Sequence, residues 1–243
     1  MRNLYLITLI IALQLPQLAN AQNTECDVFE TPAGNLTICF VGHASLYFTL
    51  NELVVHIDPY SRVADYSLLP KADVILITHE HRDHLDTSAI NQVRKENTEI
   101  ILNENSFNLL GEGKAIKNGE TISLSGFEVE AVPAYNIINL RDNGQPYHPK
   151  GIGNGYVVSI AGKRIYIAAD TENIPEMADL SDIDIAFLPM NLPFTMTPEM
   201  TAQAALSFKP RILYPYHFGK TDTNIFLELL SEVPEIEVRI RKF

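Results

Sequence analysis

The stretch Val74-Ile75-Leu76-Ile77-Thr78-His79-Glu80-His81-Arg82-Asp83-His84 runs an apolar strand pattern directly into three imidazoles and two carboxylates. Four consecutive aliphatic residues read as a strand covered on both faces, so the polar residues behind them occupy the turn at its carboxyl end. Imidazole nitrogen and carboxylate oxygen are the donors that suit Zn²⁺, Fe or Mn²⁺. The whole chain has seven His, so finding three of them within six positions is a concentration that chance rarely produces. In an extended turn His79 and His81 project to the same side and can share one ion, while Asp83 and His84 point differently and can serve a second. A solvated polar turn ahead of a helix is the competing reading, and the density of ligands weighs against it.

Outward from this turn, short strands and helices alternate. Leu36 to Val41, Ser45 to Leu50 and Leu53 to Asp58 carry strand patterns, so a β-meander precedes the histidine-rich turn. Asp73 to Thr78 is the next strand, Thr87 to Glu96 a helix capped by Asp86 or Thr87, and Glu99 to Leu102 a strand. Phe127 to Pro133, the hairpin of Gly155 to Ile160 with Arg164 to Ala169, and Ile183 to Leu188 add further strands. A helix from Pro198 or Glu199 to Phe208, a strand Arg211 to Tyr216, a helix Asn224 to Leu230 and a strand Glu235 to Ile240 close the chain. Two β-rich halves, each ending in helix, predict an α/β protein with two stacked sheets and helices outside. The polar segment Asn136 to Gly155 has little apolar pattern and is expected to be the active-site loop.

With 243 residues the chain can bury one sizeable core. Its 18 Lys and Arg against 30 Asp and Glu repel polyanions, which argues against nucleic acid or an anionic membrane as main partner and leaves a small-molecule substrate. Residues 1–21 read as a signal peptide: Arg2 supplies the positive start, Leu4 to Leu15 a short apolar stretch, and Ala19-Asn20-Ala21 a small-x-small cleavage site. An uncleaved anchor is the competing reading, since the two differ mainly in the length of the apolar stretch. Residues 22–243 are then expected to form a single exported domain, periplasmic or secreted, with no later segment of membrane-helix length. Oligomeric state is not written in the pattern. Cys26 and Cys39 flank the turn Thr31-Pro32-Ala33-Gly34-Asn35. A hairpin centred near Pro32 sets them opposite one another, ready for a disulfide, and one centred on Gly34-Asn35 does not.

Further metal-type residues fall where strands end. Asp170 closes Ile165-Tyr166-Ile167-Ala168-Ala169, and His217 closes Ile212-Leu213-Tyr214-Pro215-Tyr216. His148 lies in the polar loop ahead of Lys150-Gly151-Ile152-Gly153-Asn154-Gly155, whose glycines allow close backbone approach. Each alone is weak, because an Asp at a strand end is commonly a cap and a lone loop His is commonly solvated. His43 and Asp58 also sit at strand ends; Asp58 can accept the remaining N–H of a ligand His, or serve simply as a turn carboxylate before Pro59. His56, inside an alternating strand, reads as an ordinary core or surface residue. Lys150 as an anion partner, and Tyr135 and Tyr216 as oxyanion donors, compete with the commoner readings of exposed charge and packing.

Taken together, Thr78-His79-x-His81-x-Asp83-His84 after a hydrophobic strand, followed in order by His148, Asp170 and His217, resembles the metallo-β-lactamase superfamily. Gly42-His43-Ala44-Ser45 and Ile57-Asp58-Pro59 are similar to its branch of sugar-phosphate lactonases and phospholipase-D-like enzymes. The resemblance covers essentially all of the mature chain and implies an αββα sandwich of two mixed β-sheets flanked by helices. It implies His79, His81 and His148 on one ion, Asp83, His84 and His217 on the other, and Asp170 bridging them. One departure stands out. Relatives carry the third His in a Pro-x-His setting directly after a strand, where this chain reads Val132-Pro133-Ala134-Tyr135-Asn136. Either His148 takes that place after a loop insertion, or the first ion has fewer protein ligands; the need of a catalytic site for three ligands plus water favours His148.

The expected chemistry follows. Two divalent ions about 3.5–4 Å apart bring the pKa of a bridging water to about 7, so the nucleophile is a metal-bound hydroxide, with Asp83 orienting it or taking its proton. No Gly-x-Ser-x-Gly, no Cys after the metal loop and no His-Glu-x-x-His helix is present, which argues against covalent catalysis by those routes and against a zinc-protease helix. The expectation is a metal-dependent hydrolase with two ions, zinc first and Fe or Mn as alternatives, cleaving an ester, lactone or phosphoester. An iron-dependent dioxygenase-type enzyme on the same fold, a true β-lactamase and a binding or sensory protein are the competing classes. The last predicts missing ligands, and a β-lactamase fits poorly with the lack of a Cys after the metal loop.

Overall fold

The computed structural model describes residues 24–124 and 126–243, so the expected signal peptide lies outside the described residues. Strands β1 (Glu25–Thr31) and β2 (Gly34–Gly42) form a hairpin that turns at Pro32-Ala33. That register sets Cys26 opposite Cys39, and the two form a disulfide. Strands β3 (Ser45–Leu50) and β4 (Leu53–Ile57) continue the antiparallel meander. The sheet then turns parallel through β5 (Ala72–Leu76), β6 (Arg94–Leu102) and β7 (Lys114–Ala115), giving seven strands in chain order. A second seven-stranded sheet repeats the plan. Strands β8 (Thr121–Leu124), β9 (Phe127–Ala134), β10 (Gly153–Ile160) and β11 (Lys163–Ile167) are antiparallel, and β12 (Ile185–Pro189), β13 (Ile212–Tyr216) and β14 (Glu237–Val238) are parallel.

The helices are α1 (Thr87–Val93), α2 (Glu104–Leu110), α3 (Pro198–Phe208) and α4 (Thr223–Leu230). The main core lies between the sheets, where Ile38, Phe40, Phe48, Val55 and Ile57 meet Val129, Tyr156, Val158, Ile167 and Phe187. Alternate residues face outward and are buried as well. Ile75 packs with Ala89, Ile90 and Val93 of α1. Ala186 and Leu188 pack with Ala202 and Ala205 of α3 and Phe226 of α4. Covering both faces is why β5 and β12 read as unbroken apolar runs, and the result is the αββα sandwich expected from the sequence.

The short strands β7 and β8 have no counterpart in the sequence reading, and three further elements differ from it. Helix α1 stops at Val93 rather than Glu96, because Arg94 is already extended and pairs with Ala72 at the start of β6. The last strand shrinks to Glu237–Val238. Helix α2 went unread; its one apolar pair is short, and it is defined by an Asn103 cap on the Ser106 N–H and a left-handed Gly111 at its end. Among the described residues, no helix is long and apolar enough to cross a membrane.

His56 on β4 is a core residue, its Nε2 2.9 Å from the Pro70 carbonyl and its ring stacked on Tyr47. Burial pushes its pKa from 6.5 down to about 4, against the Pro70 hydrogen bond, which raises it. The unfolded chain therefore binds a proton in a range where the folded chain does not, and stability falls as pH drops from about 6.5 towards about 4. The loss at the acid end of that window is about 3 kcal/mol. His56→Gln is expected to flatten this part of the acid limb, read as urea midpoints at neutral and acid pH; an unchanged limb assigns it to other groups.

Candidate metal centre

The strand ends singled out in the sequence meet at one rim of the sandwich. His43, Asp58 and the turn His79 to His84 follow β2, β4 and β5 on one sheet, and Asp170 and His217 follow β11 and β13 on the other. His43, Asp58, Ala169 and His217 all adopt left-handed backbone, with φ of 57°, 42°, 61° and 47°. Such residues cost about 1–3 kcal/mol each and persist where surrounding structure holds them. Here the sheets do so: the His217 N–H donates to the His43 carbonyl at 2.9 Å, and the Tyr156 hydroxyl to the Ile77 carbonyl at 2.7 Å. Gly155 permits the close approach of β10 beside Asp170, since a Cβ there lies 3.0 Å from the Ile167 carbonyl oxygen and 3.1 Å from that of Ala168.

Two groups of donor atoms result, His79, His81, His148 and Asp170 in one and His43, Asp83, His84 and His217 in the other, each spanning no more than 4.8 Å. In the first, His81 Nδ1 lies 3.1 Å from both His79 Nε2 and His148 Nε2. Asp170 Oδ2 is 3.3 Å from His148 Nε2 and 4.0 Å from His79 Nε2. Its other oxygen, Oδ1, faces the second group, 3.5 Å from each of His84 Nε2 and His217 Nε2. Asp83 Oδ2 completes that group at 2.9 Å from His43 Nε2, 3.7 Å from His217 Nε2 and 3.8 Å from His84 Nε2. The loop insertion thus carries His148 back to the histidine-rich turn.

The far nitrogens of the rings are engaged. Buried Asp58 accepts from the Thr78 N–H at 2.8 Å, the Thr78 hydroxyl at 2.6 Å and His84 Nδ1–H at 2.8 Å. With its proton directed at Asp58, Thr78 Oγ1 accepts from His79 Nδ1–H at 3.0 Å. Asn136 Oδ1 accepts from the His148 N–H at 2.8 Å and from its Nδ1–H at 2.7 Å. These bonds assign a proton of His79, His84 and His148 to Nδ1 and turn the Nε2 atoms inward.

Sequence reasoning missed what holds Asn136. The buried Glu172 carboxylate accepts backbone N–H groups of Ile137, Ile138 and Asn139 at 2.8, 2.7 and 2.6 Å, and Asn136 Nδ2 at 3.2 Å. The inserted loop is wound around this carboxylate, which in the sequence is indistinguishable from an ordinary turn residue behind Asp170. Tyr135 and Tyr216 pack in the fold, and Lys150 is an exposed charge. Tyr216 accepts the Ala169 N–H at 2.9 Å, Tyr135 donates to Glu176 at 2.9 Å, and the Lys150 ammonium pairs with Glu176 at 2.7 Å.

Burial pushes His79 well below its ordinary pKa and lowers His81 too, so both offer neutral lone pairs. Burial also opposes charge on His84, but Asp170 and Asp58 outweigh it and hold that imidazole well above the usual range. For Asp170 burial is outweighed by His217 and His84, and for Asp83 by the His217 ring 3.7 Å away and the hydrogen bond to His43, so both carboxylates lie below their ordinary range. The surroundings thus favour positive charge at the focus of the rings. Among the described residues His84 Nε2, His217 Nε2 and Asp170 Oδ1 are buried without a hydrogen-bond partner. Such atoms cost about 1–3 kcal/mol each when left alone, and a cation between them satisfies all three. The donors present fit divalent ions.

Above the donors opens a cleft of about 320 Å³, lined among others by His43, Asp83, Arg141, Tyr147, Asn191 and Phe194. Its size suits a small molecule. The fold and the donor set are those of a metal-binding protein of metallo-β-lactamase type. The family profile described as a beta-lactamase superfamily domain matches residues 37–217. A UPF0173 metal-dependent hydrolase of Nanoarchaeum equitans is 32% identical over 193 residues, covering 76% of this chain and 84% of that one. One from Methanopyrus kandleri is 28% identical over 202 residues, with 76% and 84% covered. The chain belongs to the beta-lactamase superfamily and, within it, to the UPF0173 metal-dependent hydrolases. The crystal structure of a provisionally assigned metal-dependent hydrolase from Parabacteroides distasonis superposes with a TM-score of 0.87 at 52% identity, covering 90% of this chain and 99% of that one. A metallo hydrolase of Ignicoccus hospitalis shares the fold with a TM-score of 0.69 at 20% identity, over 85% and 95%.

Proposed function

We propose that this protein hydrolyses an ester, lactone or phosphoester of a small molecule with two divalent ions, zinc in the first instance. The observation that carries the reading is Asp170, whose two carboxylate oxygens each face a different donor group. His79, His81 and His148 would hold one ion, and Asp83, His84 and His217 the other. When bound, such ions make a water nucleophilic near neutral pH and polarise the scissile oxygen. Asp83, partly exposed on the cleft side and 2.9 Å from His43, would orient the attacking water or take its proton. Asp58, Thr78 and Asn136 keep the rings in one tautomer and orientation. The resemblance of Gly42-His43-Ala44-Ser45 and Ile57-Asp58-Pro59 to the branch of sugar-phosphate lactonases and phospholipase-D-like enzymes would favour lactones and phosphoesters among the substrates. The Cys26–Cys39 disulfide supports export to a periplasm or the cell exterior.

Elemental analysis of the mature protein, beside a panel of lactones, phosphodiesters, thioesters and a chromogenic β-lactam, tests this. Two equivalents of metal and chelator-sensitive, metal-restorable hydrolysis of a lactone, ester or phosphoester are expected. Bound iron with oxygen consumption and no hydrolysis would overturn it in favour of the redox reading, and turnover confined to the β-lactam in favour of a β-lactamase.

A further inference from the structure

We infer that Arg141 binds an anionic group of the substrate, so that the molecule hydrolysed carries a carboxylate or phosphate beside its scissile bond. The inference rests on the hydrolase reading and specifies its substrate. Among the described residues Arg141 is the one Lys or Arg lining the cleft that also contains His43, Asp83, His148, Asp170 and His217. Its place is fixed by a small turn: the Arg141 N–H donates to the Gln145 carbonyl at 2.7 Å, and the Gly144 N–H to the Arg141 carbonyl at 2.8 Å. The guanidinium lies 4.9 Å from the centre of the Tyr147 ring, and Nη2 donates to the Tyr147 carbonyl at 3.1 Å. Tyr147 itself meets Phe194 edge-on at 5.1 Å. Among the described residues no carboxylate pairs with Arg141, which leaves Nε–H, the Nη1 protons and the second Nη2 proton to donate to a planar or tetrahedral oxyanion.

Arg94, Lys95, Lys117, Lys163, Arg239 and Arg241 have carboxylate partners; Arg141 differs from the other described cations without one, Arg62 and Arg82 among them, in lining the cleft. Lys150, the basic residue of the same loop considered from sequence, is taken up by Glu176 at 2.7 Å. An unpaired guanidinium beside the Tyr147 ring, lining the same cleft as the metal-type donors, has the position of a substrate anchor. Phe194 and Tyr147 beside it offer an apolar wall to the part of the molecule between anion and scissile bond.

Matched chromogenic aryl esters, one ending in a carboxylate, one in a phosphate and one in the neutral methyl ester, test the idea on the metal-loaded protein. The wild type is expected to prefer at least one anionic ester over the neutral one by about tenfold or more in kcat/KM. Arg141→Gln should lose that preference, and Lys150→Gln should keep it. Calorimetry with glutarate and with inorganic phosphate gives a second readout and separates carboxylate from phosphate, with affinity for one or both falling by a similar factor in Arg141→Gln. No anionic preference in the wild type, or a preference and anion affinity retained in Arg141→Gln, overturns the inference, because the anion is then held by the ions alone. If no ester turns over, Arg141-dependent anion binding upholds this inference while the hydrolase reading falls.

Discussion

Asp170→Ala is expected to lower turnover by about three orders of magnitude or more, equivalent to about 4 kcal/mol of transition-state stabilisation, and to reduce bound metal to one equivalent or less. Asp170 faces both donor groups. Its Oδ1 stands 3.5 Å from His84 Nε2 and His217 Nε2, and its Oδ2 3.3 Å from His148 Nε2. Alanine removes both oxygens together and leaves inward-facing imidazoles without the negative charge that lets cations gather between them. Asp170→Asn, which keeps the shape and loses the charge, should fall between alanine and wild type in metal content. Metal counted on the purified variants, beside their specific activity, reads the effect. Activity that survives Asp170→Ala at more than a tenth of wild type would rule out the paired-ion mechanism.

Asp58→Ala should cost stability as well as metal. One carboxylate with no exposed surface satisfies the Thr78 N–H, the Thr78 hydroxyl and His84 Nδ1–H, and the hydroxyl in turn holds His79. Deleting it leaves three buried donors without an acceptor, a loss of about 3–5 kcal/mol by analogy with removing one partner of a buried charged pair. Asp58→Asn retains an acceptor for the Thr78 N–H and should fold, while the rings of His79 and His84 lose their common anchor. For that variant metal affinity is expected to fall about 10–100-fold. Urea unfolding of the metal-free proteins separates the stability effect from the ligand effect, and titration with zinc against a competing chelator measures the latter. If Asp58→Ala unfolds within 1 kcal/mol of wild type, estimated as the usual scale of a surface change, the carboxylate is not the anchor described here.

How far the site was legible depends on how far apart its parts lie along the chain. The hairpin of Cys26 and Cys39 had two registers, and packing of Phe29, Leu36 and Ile38 around the turn at Pro32-Ala33 selects one. Helix α1 was read three residues too long, because Arg94 pairs with a strand that local propensity does not see. Asn136 entered the reading as the start of the polar loop and within the stretch where a His was lacking, with no role of its own, although it orients His148. Glu172 and Arg141 carried no signal at all, since a buried carboxylate and an unpaired guanidinium look like any other Glu and Arg until their surroundings are known.

The chain by itself determined the strand-then-histidine turn, because neighbours in sequence are held by covalent geometry and a buried strand must be followed by a turn at the rim. It also determined the alternation of strands and helices, through the spacing of apolar residues. The tertiary structure alone decided which distant donors share a focus, how the inserted loop returns His148 to the rim, and which cation faces the cleft. Those outcomes depend on the register of two sheets and the course of a loop around one buried carboxylate, and each is set by contacts between residues dozens of positions apart.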